Sequence, residues 1–404
     1  MPDSNQIIDN PTGCPITDHT ELNVPMAPVG WHFDSFDAKR EMAPVHTGEA
    51  GGHQYYLVTR MADIRKTYQT AEVFSNSAVS VGEPNPAYKW IPEMLDGHIH
   101  TAWRQLLTPL WSPAAVEKLK PKLRQRFNEV IDRVIARGEC DIVADVALLF
   151  PNVIFMELMG LPIDDADQFQ KWEVDILHGD SRSGDNQAVR MGAMGEVVGY
   201  FDKLITQRQA EPKDDMLSYV LAQRIDGEPI PREDVLAFCL LMFMAGLDTV
   251  AAQLTYNFHH LATHPEDRAR LLAEPQLWPS AIEEFLRFYA FVTPSRKAMQ
   301  DTEIAGCPVK AGHMVHLPLV SANRDPREFA DADKVVIDRE VNRHLAFGAG
   351  PHRCLGSHLA REELFAAMTL WHERIPNYRV APGVQVMEHG GQIGIESLPI
   401  VWDV

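Results

Sequence analysis

The chain has 404 residues, of which 45% are hydrophobic and 23% are charged, so it has the composition of an ordinary globular protein with enough apolar material for a large core. Its formal net charge of −19, with an isoelectric point near 5.3, argues against a nucleic acid as its partner. The cysteines are odd in number and widely scattered, which is typical of reduced thiols in a cytoplasmic protein; they are Cys14, Cys140, Cys239, Cys307 and Cys354.

The N-terminal stretch is polar. Residues 1–28 are rich in proline, asparagine and aspartate without hydrophobic periodicity, so we predict a flexible tail there and a single folded domain over residues 29–404. The first residues have neither the basic region nor the apolar block of a signal peptide. The longest apolar run, Leu236 to Leu247, is shorter than the roughly 20 residues that a membrane span needs. We therefore expect a cytoplasmic protein without a membrane anchor.

Helical patterns dominate the chain, and strands are few. Gln54–Thr59 is rich in aromatic and β-branched residues and predicts a strand, and Ala62–Tyr68 predicts a short helix. Residues 79–92 carry a glycine and several prolines and predict a loop. After this loop the pattern is mostly helical, and strand periodicity returns over Met299–Leu319 and Ile393–Trp402. Runs of helix with small separate sheets predict a mainly α fold.

The longest predicted helix lies near the middle of the chain. No proline interrupts residues 232–264, and these 33 residues would span about 50 Å as a helix at about 1.5 Å per residue. At its centre is Met244–Thr249, where Gly246 costs roughly 1 kcal/mol relative to alanine. In a purely structural interpretation, Ala245 allows close helix packing and Asp248 is a surface charge. In a chemical interpretation, an acid beside an alcohol suits proton transfer.

Charged residues form two patterns later in the chain. Glu284 and Arg287 are three residues apart, which places an acid and a base on one helix face, although this spacing is common. The stretch between Glu340 and Glu362 has no acidic residue and forms a local basic patch. The basic patch could dock an acidic protein by local complementarity or serve internal salt bridges. Its residues are Arg343, His344, Arg353, His358 and Arg361.

Phe347–Gly356 is a glycine-rich loop that contains one cysteine, Cys354. A helical pattern follows it, so Cys354 lies where a flexible loop meets a helix N-terminus, a position that favours a thiolate. Most lone cysteines are small buried hydrophobes, which is the alternative here. A lone cysteine cannot form a closed zinc site, which needs about four ligands, whereas a single axial thiolate on haem iron fits all of these features.

This loop resembles the haem-binding signature of the cytochrome P450 family, F-G-x-G-x-H-x-C-x-G, and matches it at every fixed position. Ala245–Thr249 resembles the family's oxygen-binding motif, A-G-x-D/E-T. Glu284–Arg287 matches its E-x-x-R motif, and Asn323–Phe329 matches the lead-in to its cysteine loop. The resemblance covers nearly the whole chain from about residue 29. It implies the cytochrome P450 fold, mainly α with small β-sheets, in which haem b is buried between the long central helix and the helix that follows the cysteine loop.

The resemblance also implies roles for individual residues. Cys354 would bind the haem iron, Thr249 would hydrogen-bond the bound oxygen, and Asp248 would relay protons from solvent. Glu284 and Arg287 would have a structural role. The implied cofactor-binding residues are His100, Arg104, Arg296, His352, Phe347 and Gly348. For His100 and Arg104, the alternative interpretation is that they lie on a helix face that is exposed to solvent.

Within the family, the chain is most similar to the bacterial camphor-hydroxylating type. The similar stretches are Gly51–His53, Ala87–Pro92, Gly246–Val250 and Leu398–Asp403. In that type, the tyrosine that matches Tyr88 donates a hydrogen bond to the ketone of the substrate. A tyrosine that packs on a surface loop is the alternative.

Departures from that type indicate a reshaped substrate pocket. Val79 lies near the position of a bulky aromatic residue, Met244 replaces a smaller valine, and Ala245 replaces a glycine. We expect a cage-like monoterpenoid with one oxygen, such as camphor or 1,8-cineole. The expected substrate contacts are Tyr88, Val79, Leu241, Met244, Ala245, Val292 and Gln392.

The function that the resemblance implies is a monooxygenase that inserts one oxygen atom into an unactivated C–H bond. Electrons would come from NAD(P)H through a ferredoxin reductase and a 2Fe-2S ferredoxin, which would dock on the basic patch of a monomeric enzyme. A peroxide-using or non-oxygenating haem-thiolate enzyme is one alternative, although the intact Asp248–Thr249 pair argues against it. A haem-binding gas sensor is another, although a sensor would usually carry an output domain.

Overall fold

The structure is a computed structural model that describes residues 13–18, 26–177, 186–390 and 393–404. Helices make up most of its regular structure, which confirms the predicted mainly α fold. Among the described residues, the α-helices are α1 (Trp31–Met42), α2 (Met61–Gln69), α3 (Gly97–Leu107), α4 (Pro113–Val134), α5 (Leu149–Met159), α6 (Ala166–Leu177), α7 (Asn186–Ala210), α8 (Met216–Leu221), α9 (Arg232–Thr263), α10 (Pro265–Ala273), α11 (Trp278–Phe288), α12 (Leu319–Asn323) and α13 (Ser357–Arg374).

The strands are short and form small sheets. In the described part of the chain they are β1 (Ala27–Pro28), β2 (Val45–Ala50), β3 (His53–Val58), β4 (Phe74–Ser75), β5 (Glu139–Asp141), β6 (Arg224–Ile225), β7 (Glu228–Pro229), β8 (Ser295–Ala298), β9 (Thr302–Ile304), β10 (Cys307–Val309), β11 (Met314–His316), β12 (Arg379–Val380), β13 (Met387–His389), β14 (Gly394–Ile395) and β15 (Pro399–Val401). The predicted strands correspond to β3, β9–β11 and β14–β15, and the predicted short helix is α2.

The described part of the chain divides into two compact units, and the single domain over residues 29–404 stays a prediction. The first unit comprises the described residues of Met1–Tyr88, Gln276–Cys354 and Gln385–Glu396, and the remaining described residues form the second. Each unit has a hydrophobic cluster of its own, which is the physical reason for the division.

The first unit is built on a five-stranded sheet in the order β2-β3-β11-β8-β4. The sheet is mixed, because β3 is antiparallel to β2 but parallel to β11. Consecutive side chains of the central strands β3 and β11 are buried, as in a strand covered on both faces, and Tyr56 of β3 and Val315 of β11 pair in register. Met61 and Ile64 of α2 belong to the same hydrophobic cluster. The sheet and α2 therefore form one core.

A buried ion pair on α11 joins several segments of this unit. The side chains of Glu284 and Arg287 are completely buried, and the guanidinium donates to both carboxylate oxygens at 2.7 and 2.8 Å. Arg287 also donates to the backbone carbonyls of Asn323, Ala332 and Lys334 at 2.6–2.9 Å. These bonds satisfy a charge that would be costly to bury alone.

The glutamate of this pair has further partners downstream. Glu284 accepts hydrogen bonds from the Arg339 guanidinium at 2.9 Å, from the Val336 backbone N–H at 2.7 Å and from the Asn342 amide at 3.1 Å. The segment between α12 and the cysteine loop is therefore held by one buried acid–base pair.

The second unit is mainly helical and is organised around α9. This helix is continuous over 32 residues, as the absence of proline predicted. It packs against α5, α6, α7 and α13 within this unit. Aromatic side chains fill much of the core; they include Trp103, Phe155, Phe169, Trp172, Phe201, Phe238 and Phe243.

Two features of α9 follow from its sequence. Its first turn contains Glu233 and Asp234, whose charges suit the positive end of a helix dipole. Among the described residues, it is also the helix long and apolar enough to cross a membrane, by length and composition alone. A helix at the centre of a folded core passes the same test, and 47% of its most apolar window is buried inside the protein.

The described part of the N-terminal stretch differs from the prediction. Cys14 forms a disulfide with Cys307, and Thr17 and Thr47 make backbone hydrogen bonds of 2.7–2.8 Å that attach the stretch to β2. The predictions of a loose tail and of five reduced thiols are therefore wrong for these residues. The two cysteines are 293 positions apart in sequence, and only tertiary folding brings their Cα atoms to 6.5 Å. Cys140, Cys239 and Cys354 remain thiols.

The buried pair on α11 gives a stability prediction. Arg287→Met should lower the free energy of unfolding by about 3–5 kcal/mol, because it leaves the Glu284 carboxylate buried without its main partner. Urea unfolding followed by circular dichroism measures this change. The control is Arg270→Met on α10, which removes a half-exposed pair with Glu274 and should cost less than about 1 kcal/mol. Equal unfolding midpoints for the two variants would contradict the prediction.

Candidate functional site

The cysteine loop is a tightly folded turn in the first unit. Residues Gly350–His352 form a 3-10 turn, and the backbone N–H of Arg353 donates to the carbonyl of Gly350 at 3.1 Å. The backbone N–H of Cys354 then donates to the carbonyl of Phe347 at 2.9 Å. The loop thus folds back on itself and ends with an exposed cysteine thiol.

Two glycines are needed for this path. Gly348 and Gly350 have φ angles of 67° and 69°, in the left-handed region that side chains disfavour. A Cβ atom at Gly350 would also collide with the backbone carbonyl oxygen of Tyr68 on α2. The loop can lie against α2 only because this residue lacks a side chain.

The first unit also contains polar side chains near the cysteine loop. The Asn76 amide donates to Nδ1 of His352 at 3.4 Å, which leaves the His352 proton on Nε2 as a donor. Arg296 on β8 is buried; it donates to the carbonyl of Ser295 at 2.7 Å, and its guanidinium lies 4.8 Å from the ring centre of Tyr68. This unit therefore provides an exposed thiol, a buried guanidinium and an imidazole donor.

These groups fit a haem. The single thiol suits a haem iron, and the small residues Gly348–Gly350 would let a flat ring approach the sulfur. A guanidinium and an imidazole N–H are the donors that pair with carboxylates such as propionates. Among the described residues, no group of three His, Cys, Asp or Glu side chains could hold a metal ion, so a closed protein-only metal site is not present there.

The structure places three of the expected substrate contacts in the first unit. Val79 and Val292 are partly buried, whereas Tyr88 is exposed, with 38% of its surface accessible. Gln392 lies outside the described residues. The substrate role of these residues stays a prediction.

The centre of α9 carries the predicted acid and alcohol in the second unit. The Thr249 hydroxyl donates to the backbone carbonyl of Ala245 at 3.1 Å, one turn earlier. A Cβ atom on Gly246 would lie 3.3 Å from the Phe155 ring, so this glycine permits close packing with α5. Asp248 is buried, with 8% of its surface exposed, so the interpretation of Asp248 as a surface charge is wrong.

The remaining predicted residues of the second unit lie on α9 and α3. Leu241 is buried, and Met244 packs against the hydrophobic core. His100 is buried, so the alternative of a solvated helix face is wrong for it, while Arg104 is half-buried one turn later.

Sequence reasoning missed two buried acids of the second unit. Glu173 on α6 is 2% exposed, and burial together with the charge of Asp248 raises its pKa well above the usual range. Glu363 on α13 is also buried, which raises its pKa to about 8. The sequence shows Glu173 as a single acid near Phe169 and Trp172 in an amphipathic helix. Hydrophobic periodicity alone does not distinguish such a buried acid from an acid on the surface.

Comparisons with known proteins agree with this geometry. The family model described as Cytochrome P450 matches residues 31–386. The chain is 34% identical to the probable cytochrome P450 127A1 of Sinorhizobium fredii, covering 87% of this chain and 84% of that protein. It is 30% identical to the vitamin D3 dihydroxylase of Streptomyces griseolus, covering 87% and 88%. Its structure resembles that of cytochrome P450 CYP101C1 with a TM-score of 0.86 and 29% identity, over 96% of this chain and 98% of that one.

Proposed function

The chain belongs to the cytochrome P450 family and is a P450 monooxygenase, and we propose that it hydroxylates an unactivated C–H bond of a bicyclic monoterpenoid such as camphor or 1,8-cineole. The observation that carries the proposal is the exposed Cys354 thiol at the end of a loop that Gly348 and Gly350 make possible. The same loop gave the strongest signal in the sequence.

The proposed cofactor is haem b, which supplies the activation of dioxygen when it is bound. Cys354 would provide a sulfur ligand to the iron through Sγ. Arg296 and His352 would donate hydrogen bonds to the propionates, which suits the buried guanidinium and the Nε2 proton described above. Phe347 and Gly348 would border the cofactor. For His100 and Arg104 the same role is proposed from the family pattern alone.

Asp248 and Thr249 are the proposed proton-handling residues. Cleavage of dioxygen consumes two protons, which a hydrophobic site does not supply by itself. The buried Asp248 carboxyl can relay a proton within α9, and the Thr249 hydroxyl can pass it on when it gives up its bond to the carbonyl of Ala245. Ala245 and Gly246 are exposed on the helix, which supports a role for them in leaving room for dioxygen.

The substrate is proposed from the first unit's Tyr88 and from the size of the residues on α9. The half-exposed Tyr88 phenol offers one hydrogen bond to a compact molecule with one oxygen. Met244 takes more room than the valine of the camphor-hydroxylating type, which favours a reshaped pocket for a small cage. Family membership alone does not decide the substrate, because a relative of similar identity is named for vitamin D3.

Electrons are proposed to come from NAD(P)H through a ferredoxin reductase and a 2Fe-2S ferredoxin. Arg343 and Arg353 of the basic patch are exposed, whereas the chain as a whole has a net charge of −19. An acidic ferredoxin can be attracted by such a local patch despite the overall repulsion. We propose a cytoplasmic enzyme that works as a monomer.

The thiolate assignment has a direct spectroscopic test. The reduced protein with bound carbon monoxide should show the strongly red-shifted Soret band that thiolate ligation produces. Cys354→His should retain haem but lose this band and the oxygenation of substrate, because thiolate donation assists cleavage of dioxygen. The control Cys140→Ala removes another thiol and should keep the band. A histidine-type band in fresh wild-type protein would refute the assignment of Cys354.

The proton-handling role of Thr249 can be separated from its hydrogen bond within the helix. Thr249→Ala should keep NADH and oxygen consumption but divert much of both into hydrogen peroxide, measured as product formed per NADH. Asp248→Asn should instead slow turnover. The matched control is Thr255→Ala, because Thr255 makes the same hydroxyl-to-carbonyl bond to Ala251 at 2.9 Å on this helix. Equal coupling in the two threonine variants would remove Thr249 from proton delivery.

The role of Tyr88 can be tested with a pair of ligands that differ in one oxygen. One neutral hydrogen bond contributes about 0.5–1.5 kcal/mol, which corresponds to a roughly two- to twelve-fold change in affinity. Tyr88→Phe should weaken camphor binding by this factor, leave the parent hydrocarbon camphane unchanged and broaden the product mixture. Spin-state titration and product analysis measure these effects. If both ligands respond alike, Tyr88 acts through packing.

A further inference from the structure

Glu173 is on the face of α6 that packs against α9. Phe169, one turn earlier on α6, contacts Phe243 of α9 with ring centres 5.8 Å apart. Residues four apart share a helix face, so Glu173 also faces α9, the helix that carries Asp248. By contrast, Lys171 and Asp175 of α6 pair with each other, and Lys171 is exposed.

Glu173 is buried without a hydrogen bond. It is 2% exposed, and neither of its carboxylate oxygens meets a donor among the residues that the structure describes. An ionised carboxylate in that position would lose its hydration without compensation, which is far costlier than burying the neutral acid. The surroundings of Glu173 therefore favour its protonated form.

Several other ionisable groups on the elements around α6 have partners of their own. Where the structure describes them, these contacts are Glu196 with the Trp172 indole at 2.7 Å, Asp165 with the Tyr200 hydroxyl at 2.9 Å, Glu157 with Lys122 at 3.1 Å and with Arg126, and Arg208 with Gly160 at 2.8 Å and with Asp215. Asp248 is the group whose negative charge acts on Glu173. Two carboxyl groups in one buried region resist ionising together, so their titrations are coupled.

We propose that Glu173 and Asp248 form a proton-sharing carboxyl pair that serves as the proton reserve of the oxygen-binding helix. The pair holds one proton, which moves from a carboxyl oxygen of Glu173 to a carboxylate oxygen of Asp248 and from there to the Thr249 hydroxyl. A proton from solvent then restores the pair. Glu173 is a positioning residue, since it acts through Asp248. This inference rests on the proposed role of Asp248 in proton delivery.

Infrared difference spectroscopy of the haem-loaded protein tests the pair without any turnover. Near neutral pH, Glu173→Gln should remove one protonated carboxyl band, while the band of Glu363 remains. Asp248→Asn should lower the titration midpoint of the Glu173 band, because it removes a like charge. Asp175→Asn on α6 is the control and should leave the band unchanged. The pair is refuted if the protonated carboxyl band remains in Glu173→Gln. It is also refuted if the titration midpoint of the Glu173 band is unchanged in Asp248→Asn.

Thermal unfolding as a function of pH gives a second measurement. An acid whose folded-state pKa is raised contributes most at low pH, and that contribution is lost as pH rises through the folded-state value. Wild type should therefore lose more stability than Glu173→Gln as the pH rises above the unfolded-state pKa of a glutamate, about 4.3. Parallel stability curves would show that Glu173 is ionised in the folded protein and would overturn the pair.

Activity assays separate this inference from the proposed function. With camphor as the probe substrate, Glu173→Gln should shift the pH profile of turnover and raise the solvent isotope effect, while Glu173→Asp should restore part of both. A changed KM with an unchanged pH profile would indicate a packing role and would overturn the proton reserve. If the infrared spectra show the Glu173–Asp248 pair but the wild-type protein does not hydroxylate camphor, the proposed substrate is wrong and the carboxyl pair is still supported.

Discussion

The buried Glu284–Arg287 pair is the constraint on which the position of the cysteine depends. Arg287 holds the carbonyl of Asn323, and the amide oxygen of the same Asn323 accepts the backbone N–H of Leu345 at 2.7 Å, two residues before the cysteine loop. A short chain of hydrogen bonds thus runs from α11 to the loop that ends in Cys354. Because every member is buried, the loop is positioned by satisfied charges rather than by apolar packing alone.

The second unit combines an apolar core with buried acids. α9 is continuous and lies among aromatic side chains, yet Asp248 on this helix and Glu173 on the neighbouring α6 are both buried carboxyl groups. Burial raises the pKa of Glu363 on α13 as well, to about 8. A reaction that consumes protons in a site that excludes water needs such groups, since an acid with a raised pKa keeps its proton near neutral pH.

Family membership and substrate choice depend on different parts of this molecule. The cysteine loop carries the motif of the family, and the relatives that the chain resembles have very different names. The cysteine loop does not determine the substrate, because one fold supports many functions.

Local signals in the sequence determined the fold class, the continuous α9 and the cysteine loop, because proline absence, glycine positions and motif spacing act over a few residues. Only the tertiary structure decided what depends on distant contacts. The Cys14–Cys307 disulfide joins positions 293 apart, and the division into two units follows from two separate cores. The burial of Asp248 and Glu173 likewise depends on which helices pack together. A one-dimensional pattern does not record whether an acid beside apolar residues faces solvent or a neighbouring helix.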